Sequence, residues 1–222
     1  MLFFSLFFIE LVILFLLSRT VSRVLSFFFY RISRSKHITI TALAFIFFPG
    51  TLLHELSHAV AAGLLGVRVG EMEFMPKIDG EHVKLGSVQV AHTDPIRRFF
   101  IGAAPFIIGT LILLGTLFFT VQNHFFNNYF VVILVGYLVF EIGNTMFSSR
   151  KDMEGALELF GTIILLLILF YLLGLRLPAI NPNSILQQPL IQEVFKQGSI
   201  FLLVPLAIDL VIIVLLHPKY RG

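Results

Sequence analysis

Residues 48–63 read FPGTLLHELSHAVAAG, a His-Glu-x-x-His motif inside an otherwise apolar segment. On an α-helix, residues four apart lie on the same face, so the imidazoles of His54 and His58 can bind one metal ion. Glu55 lies about 100° around the helix from His54, where it can reach a water beside the ion without binding the ion itself. Two imidazoles and a carboxylate are costly in apolar surroundings unless they bind or pair with something. The motif therefore predicts a zinc site with Glu55 as the catalytic base.

The composition of the chain is typical of a membrane protein. Apolar residues make up 57% of the 222 residues and charged residues only 13%, and the mean hydropathy is +0.94. Several apolar runs approach the roughly 20 residues that an α-helix needs to cross a bilayer. We therefore expect an integral, multi-pass protein, located in the plasma membrane. The expected fold is all-α, with about six transmembrane helices and a small membrane-associated β-hairpin in a single membrane domain, residues 1–222.

Charge and cysteine content exclude several classes of function. The formal net charge of +3 reflects a modest excess of Lys and Arg, as expected beside anionic lipid head groups, and it indicates no nucleic-acid partner. The chain has no cysteine, which excludes disulfides, thiolate zinc ligands and a cysteine nucleophile. Any metal must therefore be held by nitrogen and oxygen atoms.

The first part of the chain predicts two spans. Residues 2–17 are an apolar run, whereas residues 18–36 contain five basic residues and no acid. We expect the first segment to cross the membrane and the second to lie at its surface as an amphipathic segment. The next apolar stretch, residues 38–66, would be about 43 Å long as one helix, which exceeds the hydrocarbon core of about 30 Å. We expect this helix to kink at Pro49.

Residues 67–91 differ from their surroundings because apolar and charged residues alternate with a period near two. The dipeptide Asp79-Gly80 is typical of the turn that joins the two strands of a hairpin. We expect a β-hairpin at the membrane surface, which either covers the site or holds an extended peptide along its edge.

The rest of the chain predicts four further spans. Asp94 followed by Pro95 indicates the start of a third span, which ends near residue 121 and is interrupted by a break at Pro105. The following spans are expected at residues 129–147, from about 156 to 173, and at 198–216, with a proline-containing irregular loop at 175–197 before the last one.

A catalytic zinc usually has three protein ligands and an open position for water. The candidates for the third ligand are acidic or histidine side chains: Asp152, Glu141, Glu154, Glu158, His92 and Asp209. The predicted third span runs away from the membrane face that carries the hairpin, and the fourth span returns to that face. Asp152 follows the fourth span and is therefore expected on the same face as the end of the helix that carries His54 and His58. Topology therefore favours Asp152, with Glu141 as the next candidate.

A second motif gives the chain a family resemblance. Residues 144–152 read NTMFSSRKD, with the Asn and the Asp eight residues apart. Together with the apolar His-Glu-x-x-His segment, this pattern resembles the site-2 protease class of intramembrane zinc metalloproteases, in its compact form without soluble domains, over residues 45–156. The proline and the leucine of that class's Asn-x-x-Pro-x-x-x-Leu-Asp-Gly motif are absent here, and the glycine comes at Gly155. The resemblance implies that Asp152 completes the zinc site, that Asn144 holds the substrate backbone, and that residues 67–91 form the family's β-region.

These features predict an enzyme that hydrolyses peptide bonds in or next to transmembrane segments, with Zn²⁺ as its cofactor and membrane proteins or peptides as its substrates. The expected organisation is a first span and basic segment at 1–37, a metalloprotease core at 38–156, and C-terminal spans at 157–222. The alternative is a non-proteolytic metal-binding membrane protein or an inactive protease relative, neither of which would need Glu55. A third possibility is a zinc hydrolase that acts on a lipid or another small substrate.

Overall fold

The structure is a computed structural model that describes residues 2–73, 77–79, 82–84, 87–147, 152, 154–172 and 186–216. Its helices are α1 (Leu2–Ser33), α2 (Lys36–Ile46), α3 (Phe48–Leu64), α4 (Pro95–Gln122), α5 (Tyr129–Thr145), α6 (Glu154–Leu172) and α7 (Pro189–Leu216). Its strands are β1 (Val69–Glu73), β2 (Lys77–Asp79), β3 (His82–Lys84) and β4 (Ser87–Val90). The fold is therefore all-α with a small β-region.

Long apolar helices give the protein its membrane character. Within the described ranges, α1, α4 and α7 are long and apolar enough to cross a bilayer. The pair α2 and α3 counts as a fourth span if the two bent helices are taken together. Helix α5 is apolar but has only 17 residues. The structure thus supports a membrane protein with three or four spans.

Helix α1 differs from the expected division of the first 37 residues. It continues through residue 17 without a break and ends only at Ser33, so the basic segment belongs to the same helix as the apolar run. Because Arg and Lys are good helix formers, the change in polarity at residue 18 gives no reason for the helix to stop.

The break between α2 and α3 confirms the predicted kink. The helices meet at Phe47 with an angle of 66° between them, and Pro49 lies in the first turn of α3. Proline is tolerated there because the first amides of a helix have no carbonyl partner within it. The metal motif therefore lies on a separate helix of 17 residues.

The β-region confirms the predicted hairpin in the form of two antiparallel pairs. Strand β1 pairs with β4, with Val69 opposite Val90, and β2 pairs with β3 in a second two-stranded sheet. Asp79 lies opposite His82, whereas the predicted turn residue Gly80 lies outside the described residues.

The start of α4 was predicted correctly and the start of α7 was not. Asp94 caps α4, since its carboxylate accepts a hydrogen bond from the backbone N–H of Arg97 at 3.0 Å. The helix then continues through Pro105 without the expected break. Helix α7 begins at Pro189, so residues 189–197 are helical rather than part of the predicted loop. Proline is common at the first position of a helix, which explains why this helix begins at Pro189.

The core of the bundle lies where α1, α4, α5 and α7 meet. Leu14, Leu113, Val139 and Leu202 come from these four helices and are fully buried in one cluster. Because lipid is as apolar as these side chains, close packing and polar contacts hold such helices together more than the hydrophobic effect does. The polar contacts of α3 with α4 and α5 therefore help to position the site.

Candidate metal centre

The two histidines of the motif lie on one face of α3, and each is held by a backbone carbonyl of another helix. His54 Nδ1 lies 2.7 Å from the carbonyl oxygen of Thr145 at the end of α5. His58 Nδ1 lies 2.7 Å from the carbonyl oxygen of Ile101 in α4. A carbonyl oxygen only accepts hydrogen bonds, so each Nδ1 carries the proton and each Nε2 has a free lone pair. This is the tautomer in which Nε2 binds a metal.

The donor atoms converge at one point. The Nε2 atoms of His54 and His58 are 3.3 Å apart. Asp152 Oδ1 lies 3.3 Å from the Nε2 of His58, and Oδ2 lies 3.6 Å from the Nε2 of His54. Two metal–nitrogen bonds of about 2.0–2.1 Å at the tetrahedral angle would separate the nitrogens by about 3.3–3.4 Å. These three side chains therefore form a group that could hold a metal ion.

The electrostatics of this group also favour a cation. Two imidazole lone pairs and a carboxylate face one another at close range, and their surroundings are largely buried. Such an arrangement is repulsive unless a proton or a positive ion lies between the atoms. With two imidazole nitrogens and a carboxylate as donors, the group suits a divalent transition-metal ion.

Gly102 makes room for Asp152. A Cβ at position 102 would collide with the backbone carbonyl oxygen of Asp152, so only glycine allows this approach. One turn earlier on α4, Arg98 Nη1 donates to Glu158 Oε1 of α6 at 2.7 Å. Helix α4 thus contacts the chain on the C-terminal side of Asp152 as well as Asp152 itself.

Glu55 lies beside the group without being part of it. Its carboxylate is close enough to interact with His54, His58 and Asp152, and it accepts a hydrogen bond from the backbone N–H of Val88 in β4. The side chain is half-buried. Glu55 therefore lies between the three donor side chains and the β-region.

Helix α5 positions the start of α3. Phe47, at the N-terminal cap of α3, has no polar side chain, and the backbone N–H of Gly50 instead donates to Glu141 Oε2 at 3.2 Å. A Cβ at Gly50 would lie 2.8 Å from the carbonyl oxygen of Glu141, so glycine is required for this contact. Glu141 therefore holds Gly50, and Thr145 holds His54. The two contacts are four residues apart along each of the two helices. A carboxylate near a helix N-terminus also interacts favourably with the helix dipole.

The other candidates for the third ligand lie elsewhere. Glu141 is fully buried against Gly50, and Asp209 is fully buried beside Asn144. Glu158 and His92 both contact Arg98 and are exposed. The side chain of Glu154 lies outside the described part of the chain. Within that part, only His54, His58 and Asp152 form a group that could hold a metal.

Asn144 lies in a polar pair between α5 and α7. Its Nδ2 donates to Asp209 Oδ1 at 2.8 Å and to the carbonyl oxygen of Phe140 at 2.9 Å. Both amide hydrogens are therefore used within the protein. The substrate-binding role of Asn144 stays a prediction, and in this arrangement the side chain would offer a substrate only its oxygen.

Several groups that hold the site gave no signal in the sequence. The carbonyls of Ile101 and Thr145 are backbone atoms, which any residue type would supply. Gly50 and Gly102 act by lacking a side chain, and their partners lie 91 and 50 residues further along the chain. The predicted kink at Pro49, next to Gly50, is the nearest indication that the sequence offers.

Known proteins do not assign a function to this geometry. No protein-family model matches the chain, and comparison with curated proteins and with solved structures also finds no match. The functional assignment therefore depends on the donor atoms and their surroundings.

Proposed function

We propose that the protein is an intramembrane zinc metalloprotease that hydrolyses peptide bonds in or next to transmembrane segments. The observation that carries this proposal is the convergence of His54 Nε2, His58 Nε2 and the Asp152 carboxylate, with Glu55 beside them. Metal binding alone needs the three donors, but it does not explain why the carboxylate of Glu55 lies next to them. A carboxylate next to the donors is what hydrolysis of a peptide bond requires.

Each residue has a separate part in the proposed reaction. Zinc, when bound, would supply Lewis acidity that polarises the scissile carbonyl and makes a water acidic. His54, His58 and Asp152 would hold that ion, and the carbonyls of Thr145 and Ile101 keep the two imidazoles in the required tautomer. The carboxylate of Glu55 accepts the proton of the attacking water and later delivers it to the leaving amine.

Strand β4 offers a place for an extended substrate. The N–H of Val88 points to Glu55, so it is not used for pairing with β1. Among the described strands, β4 pairs only with β1, which leaves its other edge beside the site. A peptide in a helix keeps its carbonyls in hydrogen bonds and must unwind before cleavage. Pairing with β4 would stabilise the unwound form.

The membrane setting completes the proposal. We infer that α5 and α6 also cross the bilayer. Together with α1, α4, α7 and the bent pair α2 and α3, they give six spans. Their apolar sequences support this count. The expected location is the plasma membrane, with the bilayer and transmembrane proteins or peptides as partners.

Cleavage and zinc content, measured together, test the proposal. The full chain is purified in lipid nanodiscs, its zinc is quantified, and cleavage of a reporter peptide with one transmembrane segment is followed. Glu55→Gln keeps all three donors, so we expect unchanged zinc but a loss of cleavage of about 10²–10⁴-fold. The matched control Glu193→Gln, at an exposed position of α7, should leave both measurements unchanged.

Two outcomes would contradict the proposal. Equal cleavage by the wild type and Glu55→Gln would show that Glu55 is not the catalytic base. Stoichiometric zinc in a wild type that cleaves neither this reporter nor a panel of unrelated transmembrane peptides would favour the non-proteolytic metal-binding protein.

A further inference from the structure

Helices α1 and α2 flank an open cleft that is separate from the metal centre. The helices meet at a short turn around Arg34 and Ser35, and the cleft between them has a volume of about 630 Å³. This volume lies within the range of roughly 300–1,000 Å³ that is typical of small-molecule sites. The cleft therefore has room for a bound molecule.

The walls of the cleft are apolar, and polar groups occur near the turn. Phe27, Ile40, Leu43 and Phe47 line the apolar part, and the cleft is also lined by Tyr30 and Lys36, whose side chains end in a hydroxyl and an ammonium group. Within the described residues, the Lys36 ammonium makes no ion pair and the Tyr30 hydroxyl makes no hydrogen bond. An ammonium and a phenol together can bind a phosphate group.

Among the described residues that line the cleft, the single charged side chain is that of Lys36. Residues 18–47, which contain both walls, include five Lys and Arg residues and no Asp or Glu. The nearest acid in the sequence on the N-terminal side is Glu10, which is buried in the bundle. The cleft thus matches an anionic ligand with an apolar part.

We propose that this cleft binds a phospholipid with an anionic head group. Lys36 and Tyr30 would contact the phosphate, and one acyl chain would lie along Phe27, Ile40 and Leu43. Basic pockets between transmembrane helices bind anionic head groups in this way. The site is independent of the proposed protease function, since it uses none of the residues of the metal centre.

The size of the cleft favours a lipid over a transmembrane helix. A helix about 10 Å wide fills about 420 Å³ with each turn of 5.4 Å, so the cleft would hold fewer than two turns. A substrate helix needs about 20 residues to cross the membrane. An acyl chain is thin enough to lie in the cleft along its whole length.

The deep end of the cleft reaches the break before the metal helix. Phe47 lines the cleft and is the residue at which α2 and α3 meet. Its ring stacks on Phe140 of α5, with 5.8 Å between the ring centroids. An acyl chain in the cleft would therefore pack against the joint between α2 and α3.

Tryptophan fluorescence tests the site directly because the chain has no tryptophan of its own. Phe27→Trp places a single reporter in the cleft, and Leu43→Trp places one on the opposite wall. Each protein is reconstituted with increasing amounts of phosphatidylglycerol or phosphatidylcholine that carry the same brominated, quenching acyl chains. Phe130→Trp is the matched control, since Phe130 is 86% exposed on α5 and reports only the surrounding lipid.

We expect phosphatidylglycerol to quench the two cleft reporters at a severalfold lower mole fraction than phosphatidylcholine, with no such preference at position 130. Lys36→Gln should weaken the preference about fivefold, as expected for the loss of one lysine near an anionic head group. Lys196→Gln, on α7, should leave the preference unchanged.

Equal quenching by the two lipids at both cleft reporters would overturn the proposal. A preference that Lys36→Gln and Lys196→Gln change equally would also overturn it, because the effect would then be a general surface charge. Displacement of the brominated lipid by a neutral transmembrane peptide would instead identify the cleft as a helix-docking site.

Discussion

The backbone carbonyl of Asp152 lies directly against Gly102, where any Cβ would collide with it. This contact ties the third donor of the metal group to α4, the helix whose Ile101 carbonyl also holds His58. Two adjacent residues of one helix therefore position two of the three donors.

Gly102→Ala should separate the third donor from the histidines. The added methyl group must push the Asp152 backbone away, whereas His54 and His58 keep their own hydrogen bonds. We expect zinc affinity to fall about 10–100-fold, the range for changes that disturb the surroundings of metal ligands. Competition with a fluorescent zinc chelator measures the affinity.

Gly115→Ala provides the control for this substitution. It lies on the same helix, and a Cβ there would meet no atom within 4 Å. Zinc affinity should be unchanged in this variant. Equal affinities in Gly102→Ala and the wild type would show that Asp152 does not bind the metal.

Glu141 should act by accepting the hydrogen bond of Gly50. Glu141→Leu removes the acceptor and leaves the Gly50 N–H buried without a partner, which costs about 1–3 kcal/mol. Glu141→Gln keeps an acceptor oxygen and should retain most of the stability. Unfolding in mixed detergent micelles measures the difference, and equal losses in both variants would mean that the hydrogen bond is not what Glu141 contributes.

Much of the local structure was predictable because the signals lie within a few residues of one another. Asp94 and Pro95 mark the start of α4, and Pro49 marks the break before α3. The alternation of residues 67–91 predicted the antiparallel hairpin. Each of these features depends on local backbone chemistry.

The features that could not be predicted depend on distant parts of the chain. The contacts of Gly50 with Glu141 and of His54 with Thr145 each join residues 91 positions apart. The continuous α1 was also missed, because a change in polarity within a helix need not end it. The sequence supplied the types of donor atoms, and only the packing of α3, α4 and α5 brings them together.

Asn144 should contribute to stability through Asp209. Asn144→Ala leaves Asp209 Oδ1 without the amide donor that it has in the structure, so we expect a loss of about 1–3 kcal/mol in the free energy of unfolding. In the background of Asp209→Leu the same substitution should cost much less, which a double-mutant cycle would measure. Additive losses would show that the two side chains do not interact, and a raised KM without loss of stability would support the substrate-binding role.

Asp94 should give the protein a pH-dependent contribution to stability. The hydrogen bond from the backbone N–H of Arg97 lowers the pKa of Asp94 below its usual value. The contribution is therefore complete above the usual aspartate pKa of about 3.9 and is lost as the pH falls through the lower folded value. Thermal unfolding should show Asp94→Ala less stable than the wild type at pH 7, with the difference shrinking in strong acid. A difference that stays constant between pH 7 and pH 2 would contradict this origin.

The most direct test of the metal centre is X-ray absorption at the zinc edge on the full chain purified in lipid. We expect one zinc per chain, two imidazole ligands and further oxygen ligands at about 2.0–2.2 Å. His54→Ala and His58→Ala should each remove imidazole scattering or abolish binding. A protein that binds no zinc, or zinc whose ligand shell is unchanged in both histidine variants, would contradict the proposed metal centre.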